Sequence, residues 1–209
     1  MRLVITLNLH TKLKTRQNRR AFTLAELMIV MAIIAVLVGI SIPIFMGQLE
    51  KSKEATDVAN MRAAKSLTVE LFYAGVTDKA SAQANGLQWW DDNTTGNNAC
   101  GVYDPETGTI KNISPKNWPK NNTYGQGSAN DGGMSVAGYD SSVDYTGAVI
   151  QVNIYPEGVK ASVLKQFNNG AYSSMAGKPC IIVEWKYAGG DYVKDASGKR
   201  IGMVIFLDE

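Results

Sequence analysis

From Leu27 to Met46 the chain reads LMIVMAIIAVLVGISIPIFM, and no side chain between Glu26 and Glu50 carries a charge. About 20 such residues in a helix cross the hydrocarbon core of a bilayer. A core helix of a soluble protein would show a polar face at every turn, and this stretch shows none. After Met46 the pattern changes. Gly47-Gln48-Leu49 leads into the charged run Glu50 to Glu54, and Val58, Met61, Ala64, Leu71 and Phe72 then fall on one side of a helical wheel. Gly75 is a natural stop. One helix is therefore expected from Phe22 to Ala74, roughly 80 Å long at 1.5 Å per residue. That is too long for one bilayer, so its second half must pack on the C-terminal body.

Residues 76–145 are rich in Gly, Asn, Asp, Ser and Thr and read as long loops with short strands, with Trp89-Trp90, Trp118-Pro119 and Tyr124 as loop anchors over a core. Three stretches alternate like strands: Thr146 to Tyr155, Cys180 to Tyr187 and Arg200 to Leu207. Turn residues at Ala188 to Asp191 and Asp195 to Gly198 separate the last two. One long helix followed by antiparallel strands gives an α+β body. The expected organisation is a basic leader over 1–21, an apolar transmembrane and assembly helix over 22–49, and a body over 50–209. The body comprises the amphipathic half of the helix, the loops of 76–145 and an antiparallel sheet over 146–209.

Charge sharpens this picture. The chain has 21 basic and 19 acidic side chains, and six of the basic ones (Arg2, Lys12, Lys14, Arg16, Arg19 and Arg20) lie in the first 21 residues without a single acid. Basic residues flanking a span stay cytoplasmic, so the body is expected outside, on a single-pass membrane protein. A basic head on a mildly acidic body argues against nucleic-acid binding by bulk charge. The single histidine, His10, sits in that head. A chain trimmed of its head has no His for a catalytic triad or a His-ligated metal. An ordinary secretory signal has an apolar stretch of about 7–15 residues ending at small residues. This one is longer and runs into Ile42-Pro43-Ile44-Phe45.

The junction Arg19-Arg20-Ala21-Phe22-Thr23-Leu24-Ala25-Glu26, followed directly by the apolar run, resembles the prepilin signal of type IV pilins and pseudopilins. The likeness is strict over 16–50. Alanine at 21 stands where that family usually has glycine. The resemblance implies a ladle-shaped pilin, cleavage between Ala21 and Phe22 on the cytoplasmic side by a prepilin peptidase, and N-methylation of Phe22. It implies self-assembly into a helical homopolymer, driven by an assembly ATPase and an inner-membrane platform, into an extracellular filament on the bacterial surface.

Glu26 supports two readings. Thr23-Leu24-Ala25-Glu26 fits the S/T-x-x-E capping box at a helix start. A carboxylate packed among apolar helices is also expensive unless paired. The resemblance implies that the acid pairs with the Phe22 ammonium of a neighbouring subunit. Gly39 and Pro43 form a second constellation. Proline has no N–H, so the carbonyl of Gly39, four residues back, loses its helix donor. Ser41 is placed to satisfy part of this backbone. The turn is a weak point of the helix, either as a static kink or, as the resemblance implies, as a stretch that melts when subunits pack.

Cys100 and Cys180 are the chain's two cysteines, both on the expected outer side. Two thiols in an oxidising compartment most simply form one disulfide, with two buried free thiols as the alternative. The bridge would close a loop of about 80 residues, worth on the order of 4 kcal/mol in the chain-entropy model. Other motifs fail on inspection. Gly177-Lys178-Pro179 is a broken phosphate loop, with Tyr172 in place of its first glycine and proline in place of Ser/Thr. Asp91 to Gly96 copies the start of a calcium loop, but the twelfth position is Val102 rather than Glu. Asp104, Asp131, Asp140 and Asp144 read as solvated turn residues. Asn93, Asn112 and Asn121 head N-x-S/T triplets. No cofactor or metal is called for. The reading is a structural and adhesive filament subunit, not an enzyme. A pseudopilin of a secretion or DNA-uptake machine is the near alternative, and a membrane-anchored extracellular enzyme the distant one.

Overall fold

The computed structural model describes residues 22–112, 117, 125, 135–136, 138–167 and 172–207. The basic leader with His10 and Ala21, and Trp118, Pro119, Asn121, Tyr124 and Asp131, lie outside the described residues. The chain divides into two compact units, one ending at Pro43 and the other running over Ile44–Glu209.

Helix α1 spans Leu24–Tyr73, within two residues of the expected limits at each end. Its C-terminus is a Schellman motif. Gly75 adopts φ 92°, Val76 N–H donates to the Leu71 carbonyl at 3.2 Å, and Gly75 N–H donates to the Phe72 carbonyl at 3.0 Å. Only glycine enters that backbone region without strain. Val76 then packs with Leu71 and Phe72, the apolar contact that usually accompanies this cap. A short helix α2, Lys79–Ala84, follows, with Asp78 and Ser81 as a reciprocal capping box.

The strands in chain order are β1 (Gln88–Trp90), β2 (Asn98–Asp104), β3 (Thr109–Lys111), β4 (Ser135–Val136), β5 (Tyr139–Asp140), β6 (Ala148–Tyr155), β7 (Cys180–Tyr187) and β8 (Gly202–Phe206), with helix α3 (Ala161–Leu164) between β6 and β7. The main sheet has the order β1-β2-β6-β7-β8, with β3 beside β1 on the outer edge of β2, and β4 and β5 pair separately. Every pairing in the main sheet is antiparallel. The fold is α+β, as expected. Trp89 and Trp90 belong to a strand rather than to a loop. The segment expected as loops holds β2, whose seven residues are all buried.

Alternation gives the sheet two different faces. Ile150, Val152, Val183 and Trp185 point to one side and pack with Val58, Met61 and Ala64 of α1. Tyr139 stacks on Tyr145 at 4.7 Å between ring centres, and Trp185 donates from its indole to the Gly138 carbonyl at 3.0 Å. The other face is apolar at one end, where Val163, Leu164 and Phe167 cover Tyr155, Cys180 and Ile182. Elsewhere it is polar. Asn98 and Gln151 both donate to Asn153 Oδ1, and Asn153 donates to Glu184, whose other oxygen accepts from Arg200.

Two sequence readings of single residues change here. Asp104 is not a solvated turn residue. It is buried at the end of β2, accepts from Thr107 at 2.8 Å and is ion-paired with Lys111. The buried face of α1 is also not wholly apolar, because Glu50, Glu54 and Asp57 are buried along it. Asp57 Oδ2 accepts from the Gly125 N–H at 2.8 Å and from the Tyr139 hydroxyl at 3.3 Å. Burial pushes the Asp57 carboxyl up to about 6, against the pull of these two donors.

Candidate functional site

The start of α1 is closed by its own side chains. Thr23 precedes the helix, and its carbonyl accepts from Leu27 N–H at 3.2 Å. Its hydroxyl oxygen accepts from Glu26 N–H at 3.2 Å. Glu26 Oε2 in turn accepts from Thr23 N–H at 2.8 Å and from the Thr23 hydroxyl at 2.9 Å. This is a complete capping box, the local role that the spacing predicted. Both bonds go to one carboxylate oxygen, and among the described residues Glu26 Oε1 has no partner. Phe22, the first described residue, is 87 % exposed.

Beyond this cap the helix is a bare apolar cylinder. Leu27, Met28, Ile29 and Val30 lie on different sides of it, and all are exposed. Among the described residues it is the one helix long and apolar enough to cross a membrane, and none of its most apolar window is buried. So much contiguous apolar surface is far more than a soluble monomer carries, so lipid or other protein must cover it.

The helix runs without interruption through Pro43. Ser41 donates to the Leu37 carbonyl at 2.7 Å, so its hydroxyl does not reach the Gly39 carbonyl that Pro43 leaves without a donor. Nothing packs within 4 Å of where a Gly39 side chain would begin. The turn from Gly39 to Pro43 thus lacks one ladder bond and any side-chain substitute from Ser41.

The expected Cys100–Cys180 bridge is not formed, and both thiols are free and buried. Cys100 lies opposite Asn153 and Cys180 opposite Tyr155, so β6 stands between their strands. Two strand spacings put them about 9.6 Å apart before any offset along the strands, beyond the roughly 7 Å a disulfide can span between Cα atoms. Burial raises both thiols, Cys180 to about 12. The thiolate is the reactive form, so both should resist alkylation in the folded protein at neutral pH and both should react after denaturation without reductant. Non-reducing peptide mapping that recovers a Cys100–Cys180 cross-link from the folded protein would contradict this arrangement.

Asp92, in the segment resembling a calcium loop, is engaged by its own turn. It accepts from Thr94 N–H and both threonine hydroxyls of Thr94 and Thr95, and the hydroxyls hold its carboxyl down to about 2. The sequence-predicted residues therefore fall into separate places. Thr23 and Glu26 meet at the helix start, Gly39 and Pro43 lie one turn apart along it, and the two cysteines sit in different strands of the body. Sequence reasoning missed the acidic stripe of Glu50, Glu54 and Asp57. Their spacing onto the same helix face as Val58 and Met61 was the available signal.

Residues 16–42 match the family model described as the prokaryotic N-terminal methylation motif. Over 70 residues the chain is 34 % identical to fimbrial protein Q of Moraxella bovis, an alignment that takes in 34 % of this chain and 45 % of that one. The chain thus spans less than half the length of that relative. No solved structure matches it. A methylation-type N-terminus thus opens on a capped, wholly exposed apolar helix, in a chain that is similar over part of its length to a fimbrial protein.

Proposed function

We propose that the chain is the structural subunit of a type IV pilus-like extracellular filament, held in the membrane as a precursor and polymerised through its N-terminal helix. The observation that carries this reading is the fully exposed apolar segment of α1 placed directly behind the prepilin-type signal. In the precursor, lipid covers that segment. In the filament, the same segments of neighbouring copies cover one another. A prepilin peptidase cuts between Ala21 and Phe22 and the new Phe22 amine is methylated. Glu26 then offers its unpartnered oxygen to the Phe22 ammonium of the next copy. The turn at Gly39 and Pro43, short of one backbone bond, yields as the helices close-pack. The work of assembly comes from a partner ATPase acting through a membrane platform, since the chain's own phosphate-loop likeness is broken at Tyr172 and Pro179.

The test is to shear filaments from the cell surface and measure the intact mass of the subunit. The expected species begins at Phe22 and carries one methyl group. Electron microscopy should show those filaments missing when the gene is deleted. A mature chain starting beyond residue 40 would refute the reading. Correctly trimmed chain confined to membranes, with no surface filament, would move it to a pseudopilin.

A further inference from the structure

The filament reading makes no use of the N-x-S/T triplets, and these triplets are not equivalent. Asn93-Thr94-Thr95 carries an acid, Asp91, two positions ahead of its asparagine, whereas Ile110 and Pro119 stand at that place before Asn112 and Asn121. It is also the one triplet that lies wholly within the described residues.

The triplet lies in the surface turn that joins β1 to β2, where Asp91, Asn93 and Thr94 are all exposed. Its neighbours close the turn. Asp92 accepts from Thr94 N–H at 2.7 Å and from the Thr95 hydroxyl at 2.7 Å, and Asn97 Oδ1 accepts from Asp92 N–H at 3.1 Å. The Asn93 side chain enters none of these bonds, so its amide faces solvent. The Thr95 carbonyl accepts from Lys160 N–H at 2.9 Å, which sets the turn beside α3, on the side of the sheet away from α1. Backbone meets backbone closely there. A side chain at Gly96 would run into the Gly158 carbonyl, and one at Gly158 into Gly177. Beside Asn93 lies an open depression of about 500 Å³, bounded by Glu157, Lys160 and these three glycines.

We propose that Asn93 is a glycosylation site, taking an N-linked oligosaccharide as the body reaches the outer side of the membrane. An asparagine amide in an exposed N-x-S/T triplet is the acceptor for such sugars in proteins that leave the cytoplasm. The donor is an oligosaccharide carried on a polyprenyl diphosphate, and a membrane oligosaccharyltransferase moves it. Asn93 Nδ2 forms the new bond to the anomeric carbon. The bond from that carbon to the diphosphate oxygen breaks, polyprenyl diphosphate leaves with the electron pair, and one amide proton passes to a base of the enzyme. Nothing is oxidised or reduced. Asp91 gives the enzyme a charged handle that the other two triplets lack. In the closed turn the Thr95 hydroxyl is already given to Asp92, so transfer belongs to the emerging chain, before this bond forms. In the folded body the first sugar lies over the depression, where the glycines offer no side chain to displace and Glu157 and Lys160 are polar neighbours. A glycan at this place leaves the α1 side of the sheet free.

This modification rests on the outward placement of the body but not on polymerisation. The test takes the full chain, extracted in detergent from the cells that make it, and digests it with trypsin. Residues 80–111 form one tryptic peptide, since neither Lys nor Arg lies between Lys79 and Lys111. Mass spectrometry with electron-transfer fragmentation should find a sugar mass on Asn93 in most copies, over and above the mass of the trimmed and methylated chain. Asn93→Gln and Thr95→Ala should each abolish it, and Asp91→Asn should lower its occupancy. Asn93→Gln alters an exposed side chain with no bond in the turn, so the amount of subunit in the cell should be unchanged. Protease added to intact cells reports where the body lies. A body that the protease reaches, with the 80–111 peptide bare, overturns this proposal alone. A body that it does not reach overturns the proposal together with the filament reading. A sugar mass that persists in Asn93→Gln sits on a threonine hydroxyl and overturns the N-linked site as well.

Discussion

Glu26→Gln is expected to leave a stable, membrane-held subunit and few or no surface filaments. The observed cap and the proposed assembly contact make different demands on that substitution. As a cap, the side chain needs one oxygen to accept from Thr23 N–H and from the Thr23 hydroxyl. Glutamine supplies such an oxygen and serves in capping boxes as readily as glutamate. The helix start should therefore survive. As an assembly contact, the side chain needs its charge, because a neighbour's Phe22 ammonium gains far more from a carboxylate than from an amide in a low-dielectric bundle. Burying two ions costs much of what their attraction returns, so the pair selects the register of the packed helices more than it strengthens them. The loss should therefore appear in filament yield and not in subunit stability. The assay compares sheared surface filaments with total subunit, for the unaltered chain and the variant. Wild-type filament yield from Glu26→Gln would leave the cap as its whole function.

The parts of this molecule legible in the sequence are those whose signal is local. The expected Cys180 to Tyr187 strand is β7 to the residue, and β6 and β8 lie inside their expected ranges, because alternating β-branched residues bounded by turns identify a strand from within. The Thr23–Glu26 box and the stop at Gly75 are legible for the same reason. What escaped depends on partners far along the chain. Strand β2 reads Asn-Ala-Cys-Gly-Val-Tyr-Asp, a composition suited to turns, yet it lies between β6 and the pair β1 and β3. Gly101 is required there because a side chain would run into Ile110 from β3, a contact that no window around Gly101 can reveal. The disulfide expectation failed in the same way. Counting cysteines gives a pair, but only the strand order puts β6 between them. The acids of α1 look like solvent-facing charges until Gly125 and Tyr139 meet Asp57.

Those buried acids give the body a pH dependence of definite sign. Asp57 titrates near 3.8 when free and is pushed up to about 6 in the fold, mainly by burial and partly by Glu50, with Lys53 and the donors from Gly125 and Tyr139 acting against it. Between those two values the folded chain keeps a proton that the unfolded chain has lost, so stability falls as pH rises through the window and levels off above about 6. The loss at neutral pH is at most about 3 kcal/mol, and less where water reaches the carboxylate. Asp57→Asn presents a neutral side chain of the same shape at every pH, and its carbonyl oxygen still accepts from Gly125 and Tyr139. The variant should match the unaltered chain near pH 4 and exceed it at pH 7.5, by about 1–3 kcal/mol. Urea unfolding of the full chain in detergent, followed by tryptophan fluorescence at a series of pH values, measures the difference. Other groups contribute to each curve, but the gap between the two curves isolates position 57, where Glu50, Glu54 and Lys53 of the same helix and Tyr139 of β5 are common to both proteins. A gap that closes as pH rises, or a variant less stable at pH 7.5, would mean that Asp57 is held ionised in the fold.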